Sequence, residues 1–293
     1  MRIVSLLPSA TEIVCELGLA DSLVGVTFEC AWPAGVAIGR EVVVTGLETA
    51  DLTPGEIDAL VRETIAAQGN LYTLHDDRLR ACDPQLVLTQ DLCRVCALPS
   101  GHVDEAMARL GCSATVVTLD PHTLAEVIAT IVTVADAAGV AERGRDQVAA
   151  LSARLDAVRV GVAGRPLRRM FVLEWLEPPF LSGHWVPELV SAAGGEPVLA
   201  RPGERSVPTT WDEIAAAGAD VVVVSPCGFD LDGAVRQAGE VVGRLPAGPE
   251  IWAIDADGYI VRPGPRLITG VEQLAAILHG VGETDPSIVR RVR

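Results

Sequence analysis

The sequence predicts an α/β protein of two lobes, each with a parallel sheet, joined by a long helical segment. Its 293 residues exceed the ~100–200 of an ordinary domain. Short apolar strand patterns alternate with helix patterns in residues 1–120 and again in residues 161–293, and this alternation is typical of Rossmann-like parallel sheets. Residues 121–160 carry no strand pattern, so we expect them to form a connecting backbone helix.

The first lobe contains two helix-start signals. Ser9 is predicted to cap a helix that opens at Pro8, with Glu12 at the capping-box position three residues on. Thr53 and Glu56 form the same pattern before a helix that runs to residue 68. The predicted strands cover residues 3–7, 23–28, 42–44, 86–89 and 115–119, and a further helix covers residues 103–110.

In the connector, residues 123–138 and 141–158 are predicted as one long helix broken near Gly139, or as two helices. The strand and helix alternation then resumes in the second lobe. The predicted strands are residues 170–174, 221–225 and 251–255, and the predicted helices are residues 186–193, 212–217 and 267–279.

Composition excludes several classes of protein. The net charge of −16 disfavours nucleic acid, whose phosphates would be repelled. No apolar run approaches the ~20 residues of a membrane span. The sequence contains neither the Gly-x-Ser-x-Gly pattern of hydrolases nor a phosphate-binding Gly-Lys loop.

The start of the chain and the cysteines indicate a compartment. Met1 and Arg2 lead directly into the first predicted strand, without the apolar segment of a signal peptide. Seven cysteines, an odd number, suit a reducing environment better than a disulfide framework. We therefore expect a cytoplasmic protein as the sequence is written, or a periplasmic or extracellular one if a leader has been removed.

Four of the seven cysteines directly follow predicted strands. Ligands of open α/β sheets bind beyond the carboxyl ends of the strands. Cys30, Cys93 and Cys96 follow strands of the first lobe, and Cys227 follows a strand of the second. Four thiolates in one interlobe cleft would suit zinc or an iron–sulfur cluster. The alternative is that these thiols pack as small apolar side chains.

Aromatic side chains are concentrated beside the same strand ends. Trp175, Phe180 and Trp185 lie within a short stretch of the second lobe, although aromatic residues are only 4% of the chain. They predict a flat apolar platform for a ligand, with Trp32 of the first lobe as the opposing wall. Alternatively, these rings seal an apolar interface between the lobes.

Two further residues are candidates for polar contacts with a ligand. His184 is predicted either as a ligand of a metal such as cobalt or as a hydrogen-bonding residue at a helix start. Arg262, together with Arg266, lies at a strand-to-helix turn where it would meet an anionic group, or it is solvated at the surface.

Several segments of the sequence match one family in order and spacing. The opening segment RIVSLLPSATE, Arg2 to Glu12, resembles that of the helical-backbone (class III) periplasmic binding proteins. The similarity is greatest to the branch that binds cobalamin and iron–siderophores, and it spans nearly the whole chain. The other matching segments are PQLVLT at 84–89, PPF at 178–180 with Ser182-Gly183, AGG at 193–195 and PRL at 265–267.

The resemblance implies two lobes bridged by a rigid helix, with a ligand cleft between the lobes. In members that serve transport, one glutamate on each lobe docks onto arginines of an ABC permease, and Glu56 and Glu213 occupy the matching positions. The alternative role for both carboxylates is to stabilise the helix dipole at a helix start.

Two main hypotheses of function follow. In the first, the protein is a non-catalytic binding protein for a cobalamin, another corrinoid or another metal chelate held in the interlobe cleft. In the second, it is a cytoplasmic metalloprotein or enzyme that holds an iron–sulfur cluster or zinc on the cleft cysteines. A third is a scaffold or regulatory relative without a ligand. We favour binding over catalysis, because binding is the ordinary use of this fold.

Overall fold

The computed structural model describes residues 1–49, 52–90, 101, 103, 105–107 and 113–293. The chain forms two compact units. Unit 1 comprises Met1–Pro121 with Ile128–Val148, and unit 2 comprises His122–Val127 with Ala149–Arg293. The segment predicted as a separate connector is thus divided between the two units.

Unit 1 is built on a six-stranded sheet. The strand order is β4-β3-β2-β1-β5-β6, and every pairing is parallel except that of β3 with β4. Its strands are β1 (Ile3–Ser5), β2 (Leu23–Thr27), β3 (Glu41–Thr45), β4 (Thr73–Leu74), β5 (Leu86–Thr89) and β6 (Thr115–Thr118), and its first helices are α1 (Pro8–Glu16), α2 (Pro54–Gln68) and α3 (Asp76–Cys82). The predicted parallel sheet of the first lobe is confirmed.

The helix-start prediction for α2 is confirmed, but that for α1 is wrong. Thr53 caps α2 in a capping box with Glu56, as expected. In α1 the N-cap is Leu7, which makes no side-chain capping bond, and Ser9 and Glu12 are buried within the helix. The reason is Pro8, which is suited to the first helical position and forces the residue before it into an extended conformation. Leu7 therefore takes the N-cap position that the sequence predicts for Ser9.

The connector forms two helices, α4 (Leu124–Ala137) and α5 (Ala141–Val162). They are separated at Gly139, whose φ of 74° is left-handed, a conformation that glycine adopts without steric cost. Among the helices that the structure describes, none is long and apolar enough to cross a membrane.

Unit 2 is built on a five-stranded sheet of order β11-β7-β13-β14-β15, parallel except for β15. Two small sheets, parallel β10-β12 and antiparallel β8-β9, accompany it. Its strands are β7 (Arg168–Leu173), β8 (Trp175–Leu176), β9 (Pro179–Phe180), β10 (Ser182–His184), β11 (Gly195–Pro197), β12 (Ala200–Pro202), β13 (Val221–Val224), β14 (Glu250–Ile254) and β15 (Val289–Arg291), and its helices are α6 (Val186–Ala192), α7 (Trp211–Ala216), α8 (Leu231–Val241), α9 (Ala256–Tyr259) and α10 (Leu267–His279).

The centre of each sheet forms the core of its unit. The four valines of β13 are fully buried, as expected for a parallel strand covered on both faces. Val222 is paired with Phe171 of β7 and with Ile251 of β14, and all three are buried. In unit 1, Val4 and Val87 pair in the same way. These rigid central strands fix the loops that follow their carboxyl ends.

Candidate functional site

The thiol of Cys30 is packed inside unit 1. Its Sγ lies 3.0 Å from Thr11 Oγ1 and 3.3 Å from Thr27 Oγ1, and the residue is 3% exposed. Cys227 is exposed in unit 2. Cys93 and Cys96 lie outside the described residues. Within the described ranges, no three His, Cys, Asp or Glu side chains are close enough together to hold a metal ion. The predicted zinc or iron–sulfur site therefore has no support there.

Large aromatic side chains are exposed at the carboxyl end of β2 in unit 1. Phe28 is 44% exposed and Trp32 is 43% exposed. The Phe28 ring lies 6.5 Å from the ring of Tyr72, measured between centroids. A Cβ at Gly46 would approach the Phe28 ring to 2.7 Å, so glycine is needed there. Exposed aromatics in one place are typical of a binding surface.

The sequence predicts Trp32 at this surface but does not predict Phe28 or Tyr72. Phe28 directly follows β2, so its position at the strand end was a usable signal. Tyr72 lies just before β4, an antiparallel edge strand that the sequence pattern did not reveal. Phe28 and Tyr72 are therefore in ring contact at the carboxyl edge of this sheet, and the exposed Trp32 follows in the loop after β2.

A second aromatic pair lies at the carboxyl edge of unit 2. The rings of Trp175 and Phe229 are 6.1 Å apart between centroids. The Trp175 indole N–H donates a hydrogen bond of 3.2 Å to the carbonyl of Glu177, and Trp175 is paired with Phe180 across the β8-β9 ladder. Phe229 follows β13 and was missed, because its nearness to Trp175 depends on the pairing of β7 with β13.

Trp185 is mostly enclosed within unit 2. It is 4% exposed, and its indole N–H donates a hydrogen bond of 2.9 Å to the carbonyl of Ile260. Little of its surface remains for a ligand, although the sequence predicts a ligand contact. Trp185 instead supports its neighbour His184, whose ring centroid is 5.5 Å away.

His184 has an unusual backbone and an unusual side-chain environment. Its φ is 48°, a left-handed conformation, and its N–H donates a hydrogen bond of 2.6 Å to the carbonyl of Glu204. Burial lowers the pKa of His184 to about 4, with smaller contributions from His122 and Arg205, so the imidazole is neutral at pH 7. Its Nε2 is buried without a hydrogen-bond partner in the described part of the chain.

Glu174 holds the segments around the end of β7 together. Its carboxylate accepts hydrogen bonds from the N–H of Gly183 at 3.0 Å and from the hydroxyl of Ser206. Its backbone carbonyl accepts one of 3.1 Å from Cys227. Burial raises the pKa of Glu174 to about 7, although the hydrogen bonds from the Ser206 hydroxyl and the Gly183 N–H each lower it. The sequence pattern does not predict a role for Glu174 in the site.

The charge of Arg262 is compensated by Asp257. The guanidinium nitrogen lies 2.6 Å from the carboxylate, and both side chains are 21% exposed. The same carboxylate accepts a hydrogen bond of 2.9 Å from the N–H of Gly228, the neighbour of Phe229. A compensated ion pair is therefore hydrogen-bonded to the backbone of the residue that precedes Phe229. That Arg262 meets a ligand stays a prediction.

Glu56 and Glu213 occupy matching positions in their units. Each is exposed and closes a capping box, with Thr53 in α2 and with Thr210 in α7. The pKa of Glu56 is lowered chiefly by the hydrogen bond from the Thr53 backbone, and that of Glu213 chiefly by the hydroxyl of Thr209. Both are therefore fixed, fully charged carboxylates at helix starts.

Each of the two α/β units carries aromatic side chains at the carboxyl edge of a parallel sheet, the edge where open α/β sheets bind ligands. The family model described as periplasmic binding protein matches residues 3–247. The chain belongs to the periplasmic binding protein family.

Known relatives agree with this assignment. The vitamin B12-binding protein of Vibrio cholerae is 26% identical over 285 residues, which cover 94% of this chain and 88% of that protein. The crystal structure of the Vibrio cholerae periplasmic vitamin B12 binding protein matches with a TM-score of 0.67 at 22% identity, covering 94% of this chain and 95% of that one. A periplasmic heme binding protein from Pseudomonas aeruginosa matches with a TM-score of 0.73 at 17% identity, covering 99% of this chain and 97% of that one. The predicted class III fold is confirmed.

Proposed function

We propose that the protein binds a corrinoid, with cobalamin as the first candidate, and delivers it to an ABC permease. The observation that carries this proposal is the aromatic group at the carboxyl edge of each sheet, Phe28 and Trp32 in unit 1 and Trp175 and Phe229 in unit 2. Rigid aromatic side chains bury a large apolar ligand face at low entropic cost.

Ligand chemistry separates two kinds of chelate. Heme carries carboxylate groups, which an uncompensated arginine or lysine binds strongly, whereas the corrin ring carries neutral amides that both donate and accept hydrogen bonds. The pairing of Arg262 with Asp257 is charge-balanced and is hydrogen-bonded to Gly228, the chain neighbour of Phe229, whose ring contacts Trp175. This arrangement favours the amide-bearing ligand, in agreement with the vitamin B12-binding name of the Vibrio cholerae relative.

We assign the ligand contacts to Trp32, Trp175, Phe180 and Arg262. His184, whose ring is in contact with that of Trp185, completes the unit 2 part of the proposed site. The proposed permease contacts are Glu56 and Glu213, since both carboxylates are exposed and held rigidly at helix starts. By analogy with the solved structures named as periplasmic, we propose that the protein acts in the periplasm. Neither the relatives nor the described residues support the hypothesis of a cytoplasmic metalloprotein.

Titration of the purified protein with cyanocobalamin and, separately, with hemin tests the proposal. Tryptophan fluorescence and isothermal calorimetry report binding, since three of the five tryptophans lie at or next to the proposed site. We expect a dissociation constant for cyanocobalamin in the micromolar range or below, and weaker binding of hemin. No heat and no fluorescence change with cyanocobalamin at micromolar concentrations would reject the corrinoid assignment.

A further inference from the structure

We propose that His122 and His184 of unit 2 form a two-imidazole binding site for a divalent transition-metal ion of the nickel or zinc type. The site shares His184 with the proposed corrinoid site and goes beyond corrinoid binding, since it takes a bare ion and needs no chelate. Imidazole nitrogen is a preferred ligand of such ions.

The distance between the two rings suits a shared metal. Their centroids lie 6.0 Å apart, with the ring planes tilted by 48°. At a tetrahedral angle, a metal bonded at ~2.0–2.1 Å to one nitrogen of each ring places the two centroids roughly 5 Å apart. The two rings would therefore have to approach each other by roughly 1 Å, through side-chain rotation that turns one nitrogen of each ring toward the ion.

The unpartnered nitrogen of His184 is an independent sign of a missing ligand. Its buried Nε2 has no hydrogen-bond partner within the described residues, and a buried polar atom left unpaired costs free energy. The ring is neutral, so a nitrogen lone pair is available to a metal. A bound ion would supply the interaction that this atom lacks.

The backbone around His184 is strained in a way that fixes the imidazole. A left-handed φ of 48° is uncommon outside glycine and is held here by hydrogen bonds to Glu204 and from Gly203. Gly183 packs so tightly against residues 204–206 that a Cβ would approach the Glu204 carbonyl to 2.6 Å. Strain maintained by such close packing is typical of functional positions.

The rest of the coordination shell stays open. No third His, Cys, Asp or Glu joins the pair in the described ranges, so water or a small ligand fills the remaining positions. His122 is exposed and gives an ion access to the pair. Arg205, whose charge acts on His184, opposes a cation and lowers the affinity. We therefore expect a site of moderate, exchangeable character.

Titration of the full chain with Ni²⁺ tests the site. Reactive thiols such as the exposed Cys227 are first alkylated, because they would bind nickel themselves. We expect one ion per chain with a micromolar dissociation constant. His184→Asn and His122→Asn should each weaken binding by at least about 10-fold, and Arg205→Ala should tighten it. Asparagine tolerates the left-handed backbone, so the His184 variant preserves the fold.

His75→Asn is the matched control. The Nε2 of His75 is hydrogen-bonded to Thr45 Oγ1 in unit 1, 2.9 Å away. Replacing this histidine should leave the nickel affinity unchanged. In the unaltered protein, paramagnetic Ni²⁺ should broaden the ring NMR signals of His122 and His184 before those of the other histidines. Equal affinity of the two site variants and the parent protein, or selective broadening of other histidines, would overturn the proposal.

Discussion

The carboxylate of Glu174 and the backbone N–H of Gly183 form a hydrogen bond of 3.0 Å that joins the end of β7 to β10. Ser206 donates to the same carboxylate, so one side chain holds three segments of unit 2 next to the proposed ligand contacts. A carboxyl at this junction responds to pH, because burial raises its pKa to about 7.

We therefore predict that Glu174→Gln changes the pH dependence of stability. The folded carboxyl keeps its proton up to about pH 7, whereas the unfolded one loses it near ~4.3. The native state thus binds more protons than the unfolded state in this window, and the free energy of unfolding contributed by Glu174 falls as pH rises.

Urea denaturation at about pH 5 and about pH 8 measures the effect. The stability of the glutamine variant relative to the parent should rise between these two pH values by on the order of 1–3 kcal/mol. A relative stability that does not change with pH would contradict the assignment.

Close packing at Gly270 predicts a strong effect of a single methyl group. A Cβ on Gly270 in α10 would overlap the backbone carbonyl of Tyr259, and backbone cannot yield as a flexible side chain does. Gly270→Ala should lower the free energy of unfolding by about 1–3 kcal/mol or more. Gly239 of α8 is the matched control, because it is exposed in a helix with open space around it.

Gly239→Ala should raise stability by about 0.5–1 kcal/mol, since alanine loses less backbone entropy in a helix. Thermal or urea unfolding of both variants checks the pair. Equal effects of the two substitutions would contradict the close contact at Gly270.

For ligand binding, Trp32→Ala should raise the cyanocobalamin dissociation constant by at least about 10-fold, since a large aromatic contact is lost. Ile38→Ala is the control. Ile38 lies in the same segment and is 82% exposed, so it tests general loss of apolar surface. Equal cyanocobalamin affinities of the two variants would show that Trp32 does not contact the ligand.

The Asp257 and Arg262 pair predicts a change in ligand preference. Asp257→Asn removes the negative charge that compensates Arg262 at 2.6 Å. The ratio of hemin affinity to cyanocobalamin affinity should then increase, because an arginine without its compensating charge attracts carboxylates. Glu250→Gln, which alters an ion pair with Arg168 elsewhere in unit 2, is the control. A ratio unchanged in the Asp257 variant would contradict the charge-balance argument.

Permease docking is tested by Glu56→Gln and Glu213→Gln. Glutamine can keep the capping box while removing the charge, so folding and cyanocobalamin affinity should stay unchanged. Uptake in a reconstituted transporter should fall in each variant and fall further in the double variant. Asp212→Asn changes an exposed carboxylate next to Glu213 and should leave uptake intact. Full uptake by the double variant would reject both docking assignments.

Local signals predicted most of the regular structure. The valine run of β13 is buried on both faces, and the Thr53 and Glu56 pair starts α2 as its spacing indicates. The error at Ser9 arose because two local rules compete there, and the constraint imposed by Pro8 prevails over the capping preference of serine.

The sequence by itself determined the fold class, the parallel strands and the family, because β-branched runs, capping residues and ordered family segments are local features of the chain. Only the tertiary structure decided which side chains meet. The pairing of Trp175 with Phe229, the enclosure of Trp185 and the hydrogen bonds of Glu174 all depend on strand pairing between segments distant in sequence. Side-chain environment is set by that long-range packing, which no local pattern encodes.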